Sequence, residues 1–193
     1  MGERPAKGYS RTCGIGAPQA CLGKVSGFSA PPRPLAEQDD RYAFDCGKDA
    51  LNRWLRRNAW TNHVNGASRV TVQCEGATGK IIGFVTLSAS QIERGFLPKA
   101  QQRNRPDPLP TTLLGQLAVD QSFHRQGFAT TLLLFALKTA LNVAESVGSI
   151  GVVTHPLDDT LRGFYARWGF TEMPFDPRRA MMVGMNDLKK SIQ

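Results

Sequence analysis

The stretch 122-SFHRQGFATTLLLFALKTAL-141 places a short polar turn directly before a long helix with regularly spaced apolar residues. The first N–H groups of a helix have no acceptor inside the helix, and the helix dipole favours an anion at that end. A glycine-spaced turn in this position is a usual place for phosphate to bind. The turn 124-HRQGFA-129 lacks the Lys-Ser/Thr ending of a P-loop and the three glycines of a dinucleotide fingerprint, so it is neither of the common nucleotide loops.

Around this helix, the sequence predicts an α/β layer with a mixed sheet. Before it come an amphipathic, basic helix over 47–60, an antiparallel hairpin over 69–75 and 80–89, and a strand over 112–120. After it come a strand over 149–155, a helix over 158–169 and a strand over 180–185. The segment 91–110 is predicted to be a long, basic, functional loop.

The length of 193 residues and an apolar fraction of 41% predict one ordinary domain. Residues 1–38 are rich in Gly, Pro, Ala and Ser without periodicity, so they are predicted to be a flexible tail before a domain over 39–190. Lys138 and Asn142 interrupt the longest apolar run, which predicts no membrane span. No apolar segment follows Lys7 and Arg11, so we expect no secretory signal and a cytoplasmic protein.

An excess of 24 Lys and Arg over 16 Asp and Glu gives a net charge of +8 and indicates an anionic partner. Charge alone leaves two alternatives open, a nucleic-acid-binding surface and a merely solubilising one. The cysteines Cys13, Cys21, Cys46 and Cys74 have no C-x-x-C spacing and no neighbouring His pair. This pattern favours reduced, partly buried thiols over a zinc site or a disulfide framework.

Three pieces, 116-QLAVD-120, 124-HRQGFA-129 and 163-GFYARWGF-170, together resemble the GNAT acetyltransferases. The phosphate-binding signature of that family is Gln/Arg-x-x-Gly-x-Gly/Ala, which Gly127 and Ala129 match while His124 stands at the usual Gln or Arg position. The resemblance implies a GNAT fold, with a mixed, mostly antiparallel sheet flanked by helices, and acetyl-CoA as co-substrate. Main-chain N–H groups of the turn would hold its pyrophosphate. The implied cofactor-binding residues are Leu117, Ala118, Val119, His124, Arg125, Gln126, Gly127, Phe128, Ala129, Thr130 and Phe164.

The order of further motifs resembles the GNAT toxins of type II toxin-antitoxin operons. These motifs are 44-FDCG-47 before a Leu-x-x-Trp-Leu helix, 66-GASR-69 before a strand, and 103-RNRPDPLP-110. The resemblance implies that the acceptor is the α-amino group of the amino acid on a charged tRNA, and that the result is blocked translation. It also implies a homodimer and a cognate ribbon-helix-helix antitoxin as partners.

Direct transfer to an amine requires a positioned thioester, an N–H donor for the developing oxyanion and a proton for the leaving sulfur. Leu117 to Val119 supply the first two if their strand bulges and splays, the alternative being an ordinary buried strand. Tyr165 supplies the proton, since a phenol with a pKa near 10 is protonated at pH 7; the alternative is a core aromatic. No His or carboxylate stands out as a base, and Glu75 or Glu93 acting through water is the weaker alternative. An α-amine with a pKa of about 7.7–8.0 needs little more than positioning.

Basic residues are clustered in the first helix and in the long loop, where they are predicted to contact the tRNA backbone. The predicted tRNA-binding residues are Arg53, Arg56, Arg57, Arg69, Arg94, Lys99, Arg103 and Arg105. A second basic set could equally meet an acidic antitoxin segment; its members are Arg178, Arg179, Lys189 and Lys190.

Two other functions stay open at the level of sequence. One is a GNAT enzyme acting on a small amine or a protein amine, which salt-insensitive activity on a small amine would favour. The other is a non-catalytic basic module that binds nucleic acid, which salt-dependent RNA binding without CoA binding would select.

Overall fold

The computed structural model describes residues 29–192, which contain both strands and helices. The strands are β1 Arg33–Pro34, β2 Arg69–Cys74, β3 Ile81–Ile92, β4 Leu109–Val119, β5 Gly151–Thr154, β6 Thr171–Glu172 and β7 Met181–Gly184. The helices are α1 Asp49–Arg57, α2 Ala59–Val64, α3 Lys99–Gln102, α4 Phe128–Ser146, α5 Asp159–Ala166 and α6 Met185–Ile192, with 3-10 turns at Arg94–Phe96 and Gln121–Phe123.

The strands form one mixed, mostly antiparallel sheet in the order β1-β2-β3-β4-β5-β7-β6. Within residues 29–192, the central pair of β4 and β5 is the only parallel one, and α4 makes the crossover between them. The predicted hairpin is confirmed as β2 and β3, which pair antiparallel around the turn 75–80. The predicted strands on both sides of α4 are confirmed as β4, β5 and β7, and the predicted helices as α1 and α5.

The decisive irregularity of the sheet lies in β4. Val85 of β3 stands opposite Leu117, yet Leu87 stands opposite Leu114, so β4 carries one extra residue between these pairs. The bulge is fixed by the Thr86 hydroxyl, whose Oγ1 accepts a hydrogen bond of 2.9 Å from the N–H of Gln116. Such a bulge bends its strand and increases the local twist.

Beyond the bulge, β4 and β5 separate. They pair only where Thr112 to Leu114 face Val152 to Thr154. From Gly115 onward, the edge of β4 that faces β5 has no strand partner among residues 29–192. The structure places the bulge at Gly115 and Gln116, directly before the predicted Leu117–Val119, and these three residues lie in the part of β4 that has separated from β5. A V-shaped gap opens in the middle of the sheet.

The sheet has two different faces, which alternate side chains of β3 define. Val85 points to the face that α4 covers, where it packs in one cluster with Leu133. Phe84 points to the opposite face, where it packs with Leu55 of α1. Ile92 lies on that same face by alternation and packs beneath the segment 93–108. We call these surfaces the α4 face and the α1 face.

α4 has the length and apolar composition of a membrane span, although Lys138 and Asn142 interrupt its apolar run. Its apolar stripe packs on the sheet, with Leu132, Leu133, Ala136, Leu137 and Ala140 buried. The length and composition of α4 therefore reflect its place as the central core helix in the fold described.

The prediction of a flexible tail is wrong for residues 29–38, while residues 1–28 lie outside the described part of the chain. Arg33–Pro34 pairs with β2 as an edge strand, and Leu35 is buried. The Arg33 guanidinium donates two hydrogen bonds to Asp39, at 2.6 and 2.9 Å. The segment shows no periodicity because it is extended over two residues only and depends on this ion pair and one buried side chain.

Other differences from the predicted elements are local. The predicted helix over 47–60 is divided at Asn58, whose N–H caps α1 by donating to the carbonyl of Trp54 at 2.8 Å. The predicted loop 91–110 contains the last residues of β3, the short helix α3 and the first residues of β4. β6 and α6 were not predicted. Cys46 and Cys74 are separate, buried thiols, as expected; Cys13 and Cys21 lie outside the described residues.

Candidate active site

The turn before α4 presents unpaired N–H groups at a helix N-terminus. Gly127 is the N-cap and adopts φ 89°, a left-handed conformation that favours glycine. No side chain caps this end, and the first turn of α4 contains no acidic residue. Among residues 29–192, the N–H groups of Phe128, Ala129 and Thr130 have no acceptor, and the first bond of the helix is from Thr131 to the Gly127 carbonyl. This arrangement fits an anion such as a pyrophosphate.

The side chains of the turn fold back onto their own backbone. Nε2 of His124 lies 2.8 Å from the carbonyl oxygen of Val119, and Gln126 donates to the Ser122 carbonyl at 3.2 Å. His124 therefore ties the turn to the end of β4, whereas Arg125 is exposed. Of the side chains predicted to bind the cofactor, His124 and Gln126 hold the loop conformation. The main-chain groups remain free for a ligand.

Two carboxylates to which the sequence assigned no role hold this turn against α1. Asp120 is buried and accepts hydrogen bonds from the N–H groups of Asp45, at 3.1 Å, and Ser122, at 3.0 Å. Lys80 lies 3.3 Å from the same carboxylate. Burial alone would raise the pKa of Asp120, but these hydrogen bonds and Lys80 outweigh it and lower the pKa.

Asp45 continues this network toward α1. It accepts hydrogen bonds from the N–H of Gly47 at 2.8 Å and from the side chains of Asn52 at 2.7 Å and Gln121 at 3.1 Å. The turn before α4 and the start of α1 are therefore joined in one hydrogen-bond network. The sequence signal was the place of these aspartates in the motifs 44-FDCG-47 and 116-QLAVD-120, which did not indicate that they are joined.

Tyr165 lies at the base of the gap between β4 and β5. Its side chain is 5% exposed, and burial raises its pKa to about 12, opposed by a hydrogen bond with the side chain of Thr154. Thr154 is the last residue of β5 and pairs with Leu114, immediately before the strands separate. Phe164 contacts the Tyr165 ring edge-on, with centroids 5.3 Å apart. Tyr165 is thus a protonated phenol placed beside the opening.

The main chain of Leu117 to Val119 runs along the other side of this gap. Ala118 pairs with Phe84, and Leu117 with Val85, so β3 alone holds this part of β4. Ala118 and Val119 are buried and Leu117 is partly buried. The structure therefore brings together three predicted parts around one opening: the strand segment Leu117–Val119, the turn before α4, and Tyr165.

The predicted tRNA-binding residues all lie outside this opening. Arg53, Arg56 and Arg57 line an open cleft of about 590 Å³ on α1, together with Tyr42. Arg56 also donates to the Phe44 carbonyl at 3.1 Å. Lys99, Arg103 and Arg105 are exposed in the segment 93–108, and Arg69 is exposed at the start of β2.

Arg94 is the exception in this set, because a carboxylate partly neutralises it. Its side chain lies 3.9 Å from Asp107 and donates to the Arg105 carbonyl at 2.9 Å. We infer that Arg94 orders the segment that carries the other basic residues. Both this segment and α1 belong to the α1 face, opposite the helix α4.

A family model described as the acetyltransferase (GNAT) family matches residues 35–170. The chain belongs to the GNAT acetyltransferase family. This membership confirms the fold and the enzyme class that the sequence predicts.

Relatives of known function share nearly the whole GNAT domain. The chain is 36% identical over 168 residues to the tRNA-acetylating toxin of Mycobacterium tuberculosis (strain ATCC 25618 / H37Rv), covering 87% of this chain and 99% of that protein. It is similar to the structure of AtaT complexed with acetyl-methionyl-tRNAfMet, with 28% identity, a TM-score of 0.77 and coverage of 83% of this chain and 97% of that one. It is also similar to AtaTR bound with AcCoA, with 28% identity, a TM-score of 0.73 and coverage of 84% and 96%.

Proposed function

We propose that this protein transfers an acetyl group from acetyl-CoA to the α-amino group of the amino acid on a charged tRNA, and thereby blocks translation. The observation that carries the proposal is the gap between β4 and β5. On one side of the sheet it adjoins an anion-binding turn, and on the other it adjoins a surface rich in arginine. A cofactor and a polyanionic acceptor can therefore approach the same opening from opposite faces.

The turn before α4 suits the pyrophosphate of acetyl-CoA. The unpaired N–H groups of Phe128, Ala129 and Thr130 point out of the helix end, and the helix dipole adds to their attraction for an anion. A Cβ at Gly127 would meet no protein atom within 4 Å, so the space above the turn is open to a ligand. The solved relative AtaTR, bound with AcCoA, supports this assignment.

The gap suits the rest of that substrate. Main-chain groups of Leu117 to Val119 that face β5 are free to bind an extended arm and to donate to the carbonyl of the thioester. When bound, the thioester supplies an electrophilic carbonyl and a thiolate leaving group. Because burial raises its pKa to about 12, Tyr165 keeps its proton at neutral pH. It is placed to donate this proton to the departing sulfur.

The α1 face suits a tRNA acceptor. Guanidinium groups of Arg53, Arg56 and Arg57 make phosphate contacts that are independent of sequence, and the exposed basic residues of the segment 93–108 extend the same surface. The relatives named as a tRNA-acetylating toxin and as AtaT in complex with acetyl-methionyl-tRNAfMet support this choice over a small amine.

The remaining partners follow from the same proposal. As a cytoplasmic toxin, the protein would be held inactive by a cognate ribbon-helix-helix antitoxin with an acidic segment and would act as a homodimer. The second basic set offers sites for such a segment, although Arg179 is already paired with Glu172 at 3.0 Å. Light scattering on the isolated protein tests the dimer.

The test of the proposed function is acetyl transfer from labelled acetyl-CoA to total charged tRNA. We expect label in the RNA fraction that mild alkaline deacylation releases, and none when the tRNA is deacylated beforehand. Label that appears only in protein or in small amines would contradict the proposal.

A further inference from the structure

A second cleft, of about 390 Å³, opens on the α1 face next to the gap. Its walls come from the end of β3, from the segment 93–108, from β5 and from the loop before β7. They include the apolar side chains of Phe96, Val153 and Met173, and the polar side chains of Glu93, His155, Asp176 and Arg178. Glu93, the weaker alternative base in the sequence, is exposed, whereas His155 is partly buried beside the gap. The cleft is thus lined partly by the segment that carries the exposed basic residues of this face.

The position of His155 links this cleft to the catalytic opening. Along β5, Val152 packs on the α4 face and Val153 on the α1 face. By the same alternation, Thr154 turns toward Tyr165, and His155 turns into the cleft on the other side. Thr154 and His155 are consecutive residues at the point where β5 separates from β4. Tyr165, on the side of Thr154, and the cleft, on the side of His155, therefore adjoin the same gap.

His155 has a hydrogen-bonding atom without a partner. Its Nε2 is buried, and no atom of residues 29–192 makes a hydrogen bond with it. A buried polar atom without a partner costs free energy and requires a physical explanation, and a ligand group in the cleft supplies one here. Asp176, which also lines the cleft, makes no hydrogen bond with this atom; its carboxylate accepts from the N–H groups of Arg178, at 3.1 Å, and Ala180, at 3.0 Å.

The surroundings keep His155 neutral. Burial lowers the pKa of the imidazole, and the neighbouring Arg178 lowers it further, while Asp176 opposes both. At neutral pH, the imidazole therefore has a lone pair to offer, on Nε2 when the proton is on Nδ1.

We propose that this cleft holds the aminoacyl end of the charged tRNA and that Nε2 of His155 accepts a hydrogen bond, and then the proton, from its α-amino group. This inference rests on the proposed function and adds the general base that no motif in the sequence marks. The amine nitrogen forms a bond to the acetyl carbon as the carbon–sulfur bond breaks. One amine proton passes to His155, the thiolate takes the proton of Tyr165, and the pair exchanges protons with solvent after each turnover.

The apolar walls of the cleft predict which aminoacyl groups the enzyme prefers. Phe96, Val153 and Met173 provide a surface for the side chain of the acceptor amino acid, close to the imidazole that receives its amine. Apolar aminoacyl groups should therefore react faster than acidic or basic ones of similar size.

The experiment compares single-turnover acetylation of charged tRNA by the wild type, His155→Ala and His155→Gln. Both variants should lose about 100-fold in the rate constant at saturating substrates, while their dissociation constants for acetyl-CoA, measured by calorimetry, stay within about twofold. Added imidazole should restore a substantial part of the rate in His155→Ala. Rescue of this kind would not follow from a merely structural role.

His63→Ala is the matched control, since His63 is another partly buried imidazole with a lowered pKa but belongs to α2. Its rate should stay near that of the wild type and should not respond to imidazole. Wild-type rates in both His155 variants, or loss without imidazole rescue in His155→Ala despite normal acetyl-CoA binding, would overturn the inference and leave the proposed function intact. Absence of transfer to charged tRNA by the wild type would overturn both.

Discussion

At the scale of single residues, Tyr165 shows how one position combines packing and chemistry. Its ring belongs to the core beneath α4, in contact with Phe164 and Phe170. Its hydroxyl reaches Thr154 at the edge of the gap, so the same burial that stabilises the fold keeps the phenol protonated. The sequence alternatives for this residue, a core aromatic and a general acid, are therefore compatible.

Tyr165→Phe keeps the ring and removes the proton. We expect the rate constant for acetyl transfer to fall by about 100-fold or more, because sulfur then leaves without a general acid. Binding of acetyl-CoA, followed by calorimetry, should be unchanged, since the turn before α4 is untouched. A variant that turns over as fast as the wild type would exclude Tyr165 as the acid.

The turn before α4 predicts a ranking between two substitutions. Gly127→Val should reduce acetyl-CoA affinity by at least about 100-fold, because φ 89° is strained for a β-branched residue and the new side chain fills the ligand space. His124→Ala should weaken binding by less than about tenfold, because its imidazole bonds only to the Val119 carbonyl. Calorimetric titration with CoA measures both, and the opposite ranking would contradict binding by the main chain.

At the scale of elements, the connection between β4 and α4 depends on one buried carboxylate. Asp120 joins the turn before α4 to the segment before α1 through Asp45, and to the residue before β3, Lys80. Its lowered pKa means that the folded protein prefers the ionised form. The corresponding stability is present above the unfolded pKa of about 3.9 and is lost as the pH falls through the lower, folded value.

Asp120→Asn should reduce the free energy of unfolding by about 1.5–3 kcal/mol at pH 7, because the hydrogen bonds to a charged acceptor are lost. Urea denaturation between pH 7 and pH 3 measures the effect. The wild type should lose the stability linked to the ionised carboxylate as the pH falls below about 4, and the variant should show a shallower decline. Equal stability of the two proteins at pH 7 would show that Asp120 does not anchor the turn.

The helix α1 predicts a separate effect on the acceptor. Replacing Arg53, Arg56 and Arg57 with alanine should weaken tRNA binding and lower the slope of log affinity against log salt by about 2–3. Acetyl-CoA binding should not change. Lys138→Ala, which removes a positive charge from α4 on the opposite face, is the control. An equal loss of tRNA affinity per charge in both variants would show that net charge alone, and not the α1 face, binds the tRNA.

At the scale of the whole molecule, the fold was largely predictable because its signals are local and strong. The apolar residues of α4 recur at helical spacing, and the hairpin of β2 and β3 is rich in β-branched residues. The order of the motifs identified the family. The bulge in β4 could not be predicted from the residues of β4 alone, because it depends on a hydrogen bond with Thr86 of β3. Asp120 ends the motif 116-QLAVD-120 and His155 ends a predicted strand, but neither position signals a role in sequence. Their roles follow only from the groups that surround them in the fold.

The short edge strand β1 escaped prediction for a similar reason. The conformation of this segment depends on the ion pair of Arg33 and Asp39, at 2.6 Å. A composition rich in proline and alanine gives no sign of such a contact. Sequence periodicity therefore found the longer elements that bury an apolar face. It missed β1, which depends mainly on this ion pair, and α6, which buries Met185 and Leu188 within eight residues.

The central claim concerns the atom that receives the acetyl group, and one measurement locates it directly. After reaction of the wild-type protein with acetyl-CoA and charged tRNA, ribonuclease digestion releases the terminal aminoacyl-adenosine for fragmentation by mass spectrometry. The account predicts an added acetyl group on the α-nitrogen of the amino acid. Unmodified aminoacyl-adenosine, with the acetyl group found instead on tRNA bases, protein lysines or small amines, would contradict it.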